Sequence, residues 1–277
     1  MENLNFSIFY DCNYWYKIIN DVINPFLKNN AIENYIIILS EERGDHIKLT
    51  ITSEKNSSVV IANKLHTLLK NYLKHNPSPP AKNLIPNKGL FKDFDGNTLH
   101  HGIFDIARQI DSFKIPLSNA FMVSKVSLEI FKEHKENTLE LLTEIILELL
   151  LISINVLIAN QIEPIALFSK LFNSELKKYD KNDRLLIEQT NKLNFEKNKS
   201  EILDYIKPFL SDELQFKQNT WKHIWQKTLN NQLNLISGNK INLQVQYSRT
   251  INYLFFVFNF EEVITVYYVI LAGMKEV

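Results

Sequence analysis

Gly44-Asp45-His46-Ile47-Lys48-Leu49-Thr50-Ile51 reads as a two-faced strand, with Ile47, Leu49 and Ile51 on one side and His46, Lys48 and Thr50 on the other. Just before it runs Tyr35-Ile36-Ile37-Ile38-Leu39-Ser40, a nearly unbroken apolar stretch. Glu41-Glu42-Arg43-Gly44 joins the two as a short turn with glycine at its end. Such a hairpin buries one face in a core. The alternation predicts that the other face, with its row of His, Lys and Thr, is exposed. That row is the first candidate for chemistry.

On the N-terminal side, Asn5 to Tyr10 reads as a strand, and Trp15, Ile18, Ile19, Val22, Ile23 and Phe26 recur at helical spacing, with Pro25 near the helix end. On the C-terminal side, Ser57 or Ser58 stands where a helix cap belongs, ahead of a stripe of Ile61, Leu65, Leu68, Leu69, Tyr72 and Leu73. Strand, helix, strand, strand, helix is most of a split β-α-β motif. The pattern predicts an α+β fold whose antiparallel, ferredoxin-like sheet uses residues near 5–10, 34–40, 45–53 and 89–94, backed by helices 14–27 and 58–74. After His101 the periodicity turns helical: 103–110, 117–133, 138–160, 168–179, 181–199, 201–210 and 212–235. Tyr253 to Val277, aromatic and β-branched, fits helix or strand. The expected organisation is one unit, 1–277, with a sheet lobe (1–100) and a mainly helical lobe (101–277).

Composition narrows the function classes. With 31 basic and 31 acidic residues there is no concentrated basic face, so no nucleic-acid partner is expected. Cys12 is the single cysteine, which leaves no disulfide framework and no thiolate zinc cluster and suits a reducing cytoplasm. The first residues lack a signal peptide's basic start and apolar run. Leu139 to Ile162 is the most apolar segment, but it carries Glu140, Glu144 and Glu148, and its uncharged remainder falls short of the roughly 20 residues a bilayer crossing needs. It reads as a buried core helix, and no membrane partner is expected. The glutamate row reads as an exposed or interface stripe, or as partners for buried Lys or Arg.

Six unclustered glycines leave no phosphate loop, and the zinc-protease and nucleophile-elbow motifs are absent, so no nucleotide, nicotinamide or metal cofactor is expected. His100-His101-Gly102 follows Asp93, Asp95 and Asn97. Adjacent histidines diverge on one element, which suits acid/base work by one of them better than joint metal ligation. His66, His75, His134 and His223 read as surface residues, and Trp221 and Trp225 as core.

Taken together these landmarks resemble the C-terminal elimination domain of lantibiotic dehydratases, a family that includes free-standing thiopeptide-type bacteriocin biosynthesis proteins. The resemblance rests on four segments. These are Phe6 to Asn29 with Trp15 and Pro25; the Gly44–Thr50 strand; Phe94-Asp95-Gly96-Asn97-Thr98-Leu99-His100-His101-Gly102; and Ser248-Arg249-Thr250-Ile251-Asn252-Tyr253-Leu254 before a last helix. It implies a cytoplasmic, lyase-type enzyme acting on a ribosomally made lanthipeptide or thiopeptide precursor with its leader. The reaction implied is elimination of glutamate from glutamylated Ser or Thr to give dehydroamino acids in antibiotic biosynthesis. A separate glutamylating dehydratase subunit and a homo-oligomer are compatible with it.

The resemblance assigns proton handling to His100, Ser248 and Tyr253, and substrate contacts to Arg43, His46, Lys48, Thr50 and His101. The sequence also departs from the family. Lys48, Thr50 and His100 stand where the family carries arginine, whose fork grips a carboxylate at two points, and Ser248 stands where it carries histidine. Two alternatives therefore stand beside elimination. One is the family's pyridine-synthase branch, which joins two dehydroalanines by formal (4+2) cycloaddition and expels the leader, with Tyr247, Ser248 and Tyr253 as available hydrogen-bonding groups. The other is a non-catalytic partner that binds the precursor peptide.

Overall fold

Among the described residues, four strands and five α-helices are built from the chain's first half. The computed structural model describes residues 1–79, 93–104, 106–134, 138–211, 214–218, 220–235 and 240–277. The chain divides into two units, Met1–Leu139 with Asn252–Asn259, and Glu140–Ile251 with Phe260–Val277.

The first unit runs β1 (Glu2–Phe9), α1 (Trp15–Ile18), a π-helical turn (Ile19–Ile23), α2 (Asn24–Asn29), β2 (Tyr35–Ser40), β3 (His46–Ser53), α3 (Lys55–His75), β4 (Thr98–His101), α4 (Ile106–Phe113) and α5 (Leu117–Glu133). Pro25 has no N–H to give the preceding turn, and the helix widens to π spacing directly before it. The indole N–H of Trp15 donates to the Tyr10 carbonyl at 2.7 Å and pins α1 to the end of β1. Helix α3 starts earlier than its serines suggest. Glu54 is the cap residue, while Ser57 donates to the Glu54 carbonyl and Ser58 to the Glu2 carboxylate.

The strands form one antiparallel sheet in the order β2-β3-β1-β4. Three of the four lie where the alternation places them; the fourth does not. Asp93 and Phe94 are irregular, and residues 89–92 lie outside the described residues. The fourth strand is Thr98–His101 instead, launched by a turn in which Asn97 adopts φ +61° and donates its N–H to the Phe9 carbonyl at 2.8 Å. On the β2 edge, Ser124 of α5 accepts the N–H of Ile37 at 3.1 Å, which occupies a group that an edge strand otherwise leaves open.

The second unit is helical: α6 (Leu139–Ala159), α7 (Pro164–Leu176), α8 (Lys181–Lys197), α9 (Lys199–Ile206) with a 3-10 turn (Lys207–Leu210), α10 (Trp221–Leu235), α11 (Lys240–Val257) and α12 (Val263–Glu276). Helix α11 ends in the first unit. The aromatic stretch after Tyr253 is therefore helix, not strand, and α10 begins at Trp221 rather than at 212.

Among the described residues α6 is the one helix long and apolar enough to cross a membrane, yet most of it is buried by protein. Trp225 donates to its Leu149 carbonyl at 2.8 Å, and Tyr247 donates to its Ser153 carbonyl at 2.6 Å. Of the three glutamates, Glu140 and Glu144 are exposed, and Glu148 pairs with Lys222.

Candidate functional site

Residues directly opposite in a sheet share a face, and the register assembles the candidate residues across three strands. Ser7 of β1 faces both Lys48 of β3 and His100 of β4; Phe9 faces both His46 and Thr98; Asn5 faces Thr50. His46, Lys48, Thr50 and His100 thus belong to one face of the sheet in the first unit. His101 belongs to the other.

This face is not the solvated surface that the alternation predicts. His46, Lys48 and Thr50 are 0%, 1% and 4% exposed. Each has a local reason to be buried. Lys48 Nζ donates to the Glu42 carboxylate at 2.8 Å and lies 4.3 Å over the Phe104 ring, so its charge is met twice. Thr50 donates to Asn5 Oδ1 at 2.7 Å. His46 stacks on Phe9 at 4.6 Å and on Phe104 at 4.8 Å, the middle ring of three.

Burial, aided by the Lys48 charge, pushes the His46 imidazole down to about 4, so it is neutral at physiological pH. Its Nδ1 lies 2.7 Å from the Gly44 carbonyl. A carbonyl only accepts, which puts the ring's proton on Nδ1. Nε2 is then a bare acceptor, buried and without a hydrogen-bond partner among the described residues.

His100 is half-buried, 3.1 Å from Thr98 Oγ1, with its ring against Phe9 and Phe94. On the opposite face, His101 Nε2 meets His66 Nδ1 of α3 at 2.9 Å, and its ring edges onto Phe6. Partial burial and the neighbouring His66 and His100 lower its pKa. His66, read as a simple surface residue, is therefore engaged. Arg43 sits in the β2–β3 turn with its guanidinium 4.8 Å over Phe94.

The remaining candidates are placed differently. Ser248 lies in the second unit, where its hydroxyl donates to the Gln244 carbonyl one helical turn back. Tyr253 lies in the first unit, in another aromatic cluster with Phe113 and Phe256. It is fully buried, and its hydroxyl has no hydrogen-bond partner among the described residues. An unmet buried hydroxyl costs about 1–3 kcal/mol. Tyr253→Phe is therefore expected to raise stability by about 1 kcal/mol, read as the shift in urea midpoint; a loss of stability would reveal a partner for the hydroxyl.

Three contributors escape sequence reasoning. Glu42 and Phe104, which bury the polar row, carry no periodic or motif signal. The third is Asp11, Cys12 and Asp45, whose donor atoms all lie within 4.8 Å of one another, a set that can hold a cation. Their oxygens already serve the backbone: Asp45 accepts the Cys12 N–H at 3.0 Å and Asp11 the Asn13 N–H at 2.9 Å. Burial and the two carboxylates push the Cys12 thiol up to about 12, which keeps it protonated. An open groove of about 500 Å³, lined by Val22, Phe26, Leu68 and Tyr72 among others, holds none of the candidate proton-handling or substrate-contact residues.

An α+β fold with a four-stranded antiparallel sheet and a buried, aromatic-lined polar row is thus the class to which this chain belongs. It superposes on the pyridine synthase TbtD from thiomuracin biosynthesis with a TM-score of 0.72 at 13% identity, over 100% of this chain and 99% of that one. It superposes on TsrL with a TM-score of 0.65 at 10% identity, over 99% and 95%. No family model and no curated protein matches the sequence. At these identities the likeness is one of fold, and it extends over the whole chain.

Proposed function

We propose that this protein is a cytoplasmic enzyme of thiopeptide-type maturation. In this reading it joins two dehydroalanine residues of a ribosomally made precursor by formal (4+2) cycloaddition, and the new ring becomes aromatic by losing water and expelling the leader peptide as its amide. The observation that carries the reading is the end-to-end likeness to a pyridine synthase. The strand order β2-β3-β1-β4, with helices after β1 and after β3, supports describing the sheet as ferredoxin-like.

The state of Lys48 favours this reading over glutamate elimination. Elimination asks for a cationic clamp free to hold a glutamyl carboxylate. Lys48 is buried and already spends its charge on Glu42. Cycloaddition asks instead for one dehydroalanine alkene held against the other dehydroalanine, whose neighbouring amide supplies the rest of the four-atom partner in its imidic-acid form, with proton relay to reach that form. It transfers no electrons to an outside acceptor. His100, half-buried on the same sheet face as Lys48, is the group we assign to proton handling.

The test incubates the purified protein with a multiply dehydrated precursor and, separately, with a glutamylated one, and weighs the products by mass spectrometry. The expected result is loss of the leader with ring formation from the dehydrated peptide and no change in the glutamylated one. Loss of glutamate from the second peptide would select elimination. Inertness toward both, with tight binding by calorimetry, would leave a peptide-binding partner of a glutamylating subunit.

A further inference from the structure

The buried acceptor at His46 calls for an occupant. His46 is 0% exposed, its Nδ1 proton is committed to the Gly44 carbonyl, and both faces of its ring are covered, by Phe9 and by Phe104. One functional edge of the ring is left, and it carries the Nε2 lone pair with no donor against it among the described residues. Buried acceptors without donors are rare, because each forfeits the hydrogen bond it had in water.

The neighbouring charges do not fill the gap. Lys48, two residues along the same face, directs its ammonium to Glu42 and to the Phe104 ring, and Glu42 is a carboxylate with no proton to give. The chemistry that satisfies Nε2 is a neutral N–H or O–H donor. A cation is disfavoured beside Lys48, and an anion has nothing to donate.

We propose that His46 Nε2 is a substrate-binding acceptor that takes a hydrogen bond from a backbone N–H of the dehydrated precursor peptide. Phe104 forms the movable wall through which that peptide reaches it. Phe104 suits the role because it covers His46 and Lys48 at once and is itself only half-buried. This inference deepens the function proposed above: it rests on that reading and names a contact to the peptide.

Nitrogen-15 NMR of the histidine side chains tests it directly, because a neutral ring nitrogen that begins to accept a hydrogen bond moves upfield. The free protein is expected to show His46 as the Nδ1–H tautomer with a downfield, unbonded Nε2. Saturation with the dehydrated precursor is expected to move that Nε2 signal upfield and leave Nδ1 in place. His46→Phe keeps a three-ring stack but has no acceptor, so it should melt cooperatively while binding the dehydrated precursor about tenfold more weakly.

An Nε2 that is already hydrogen-bonded in the free protein and unmoved by peptide would overturn the assignment, since ordered water would then be its partner. So would wild-type affinity in a folded His46→Phe variant. Because the shift reports binding and not turnover, the two proposals fail separately. A moving Nε2 without product would sink the cycloaddition and keep this contact; product with a still Nε2 would do the reverse.

Discussion

Glu42→Ala is expected to cost about 2–3 kcal/mol, while Lys48→Met costs almost nothing. Breaking a buried ion pair by removing one partner typically costs about 3–5 kcal/mol, because the other charge stays behind unmet. Here the two partners are unequal: the Lys48 side chain is 1% exposed and that of Glu42 is 52% exposed. Removing Glu42 strands an ammonium in the protein with, among the described residues, the Phe104 face to stabilise it, and the half-solvated carboxylate brings the figure somewhat below that range. Removing Lys48 leaves a carboxylate that water can reach, and methionine fills the vacated volume. In a Lys48→Met background Glu42→Ala should therefore be nearly silent. A double-mutant cycle of urea midpoints measures this, and additive losses would show that the pair is not coupled.

The second large effect is a loss of stability on acidification, traceable to His46. Its pKa is about 4 in the folded chain, against an ordinary value of 6.5. The unfolded chain therefore takes up the proton first as pH falls, and stability declines. The contribution is complete above pH 6.5 and drains away as pH approaches 4, amounting to about 3 kcal/mol at 1.36 kcal/mol per unit. The groups facing the ring are the Gly44 carbonyl and Glu42, which favour the charged form, and Lys48, which opposes it. His101, also lowered, adds in the same direction. Denaturant unfolding of wild type and His46→Phe across pH 4 to 7 isolates the term: the variant's curve should be flatter. Parallel curves would place the titration elsewhere.

Much of the sheet is legible before any coordinates are. Strand β3 announces itself by strict alternation, and β2 by a β-branched run with a turn after it, because both patterns follow from which side of a strand meets a core. Strand β4 is hidden for the opposite reason. Thr98-Leu99-His100-His101 is four residues long, and it is a strand because Asn97 hooks it to Phe9, a contact made 88 positions away. The helix after Tyr253 is ambiguous in sequence because an element apolar on nearly every side shows no period.

The site follows the same division. Which residues share a face is readable from alternation. That the polar row would be buried is not, since its neutralising groups, Glu42 and Phe104, come from a turn and an irregular segment that no periodicity governs. Lys48 thus carries the signature of a solvated residue and the surroundings of a core one.

The discontinuity of the first unit carries a further consequence, one that concerns synthesis rather than stability. Residues 252–259 belong to the unit that holds the sheet, yet the ribosome makes them only after the intervening stretch Glu140–Ile251. Among the contacts they bring are Tyr253 against Phe113, Phe258 against Phe131, and Asn259 donating to Glu41 in the β2–β3 turn at 3.2 Å. At roughly 5–20 residues per second the nascent sheet waits about 5–20 s for them, with Phe113 and Phe131 lacking those aromatic neighbours. Such a chain cannot mature strictly from front to back. During that interval its earliest-made half is the part most in need of a chaperone, and a stalled or truncated product would expose those aromatic rings instead of a finished half-protein.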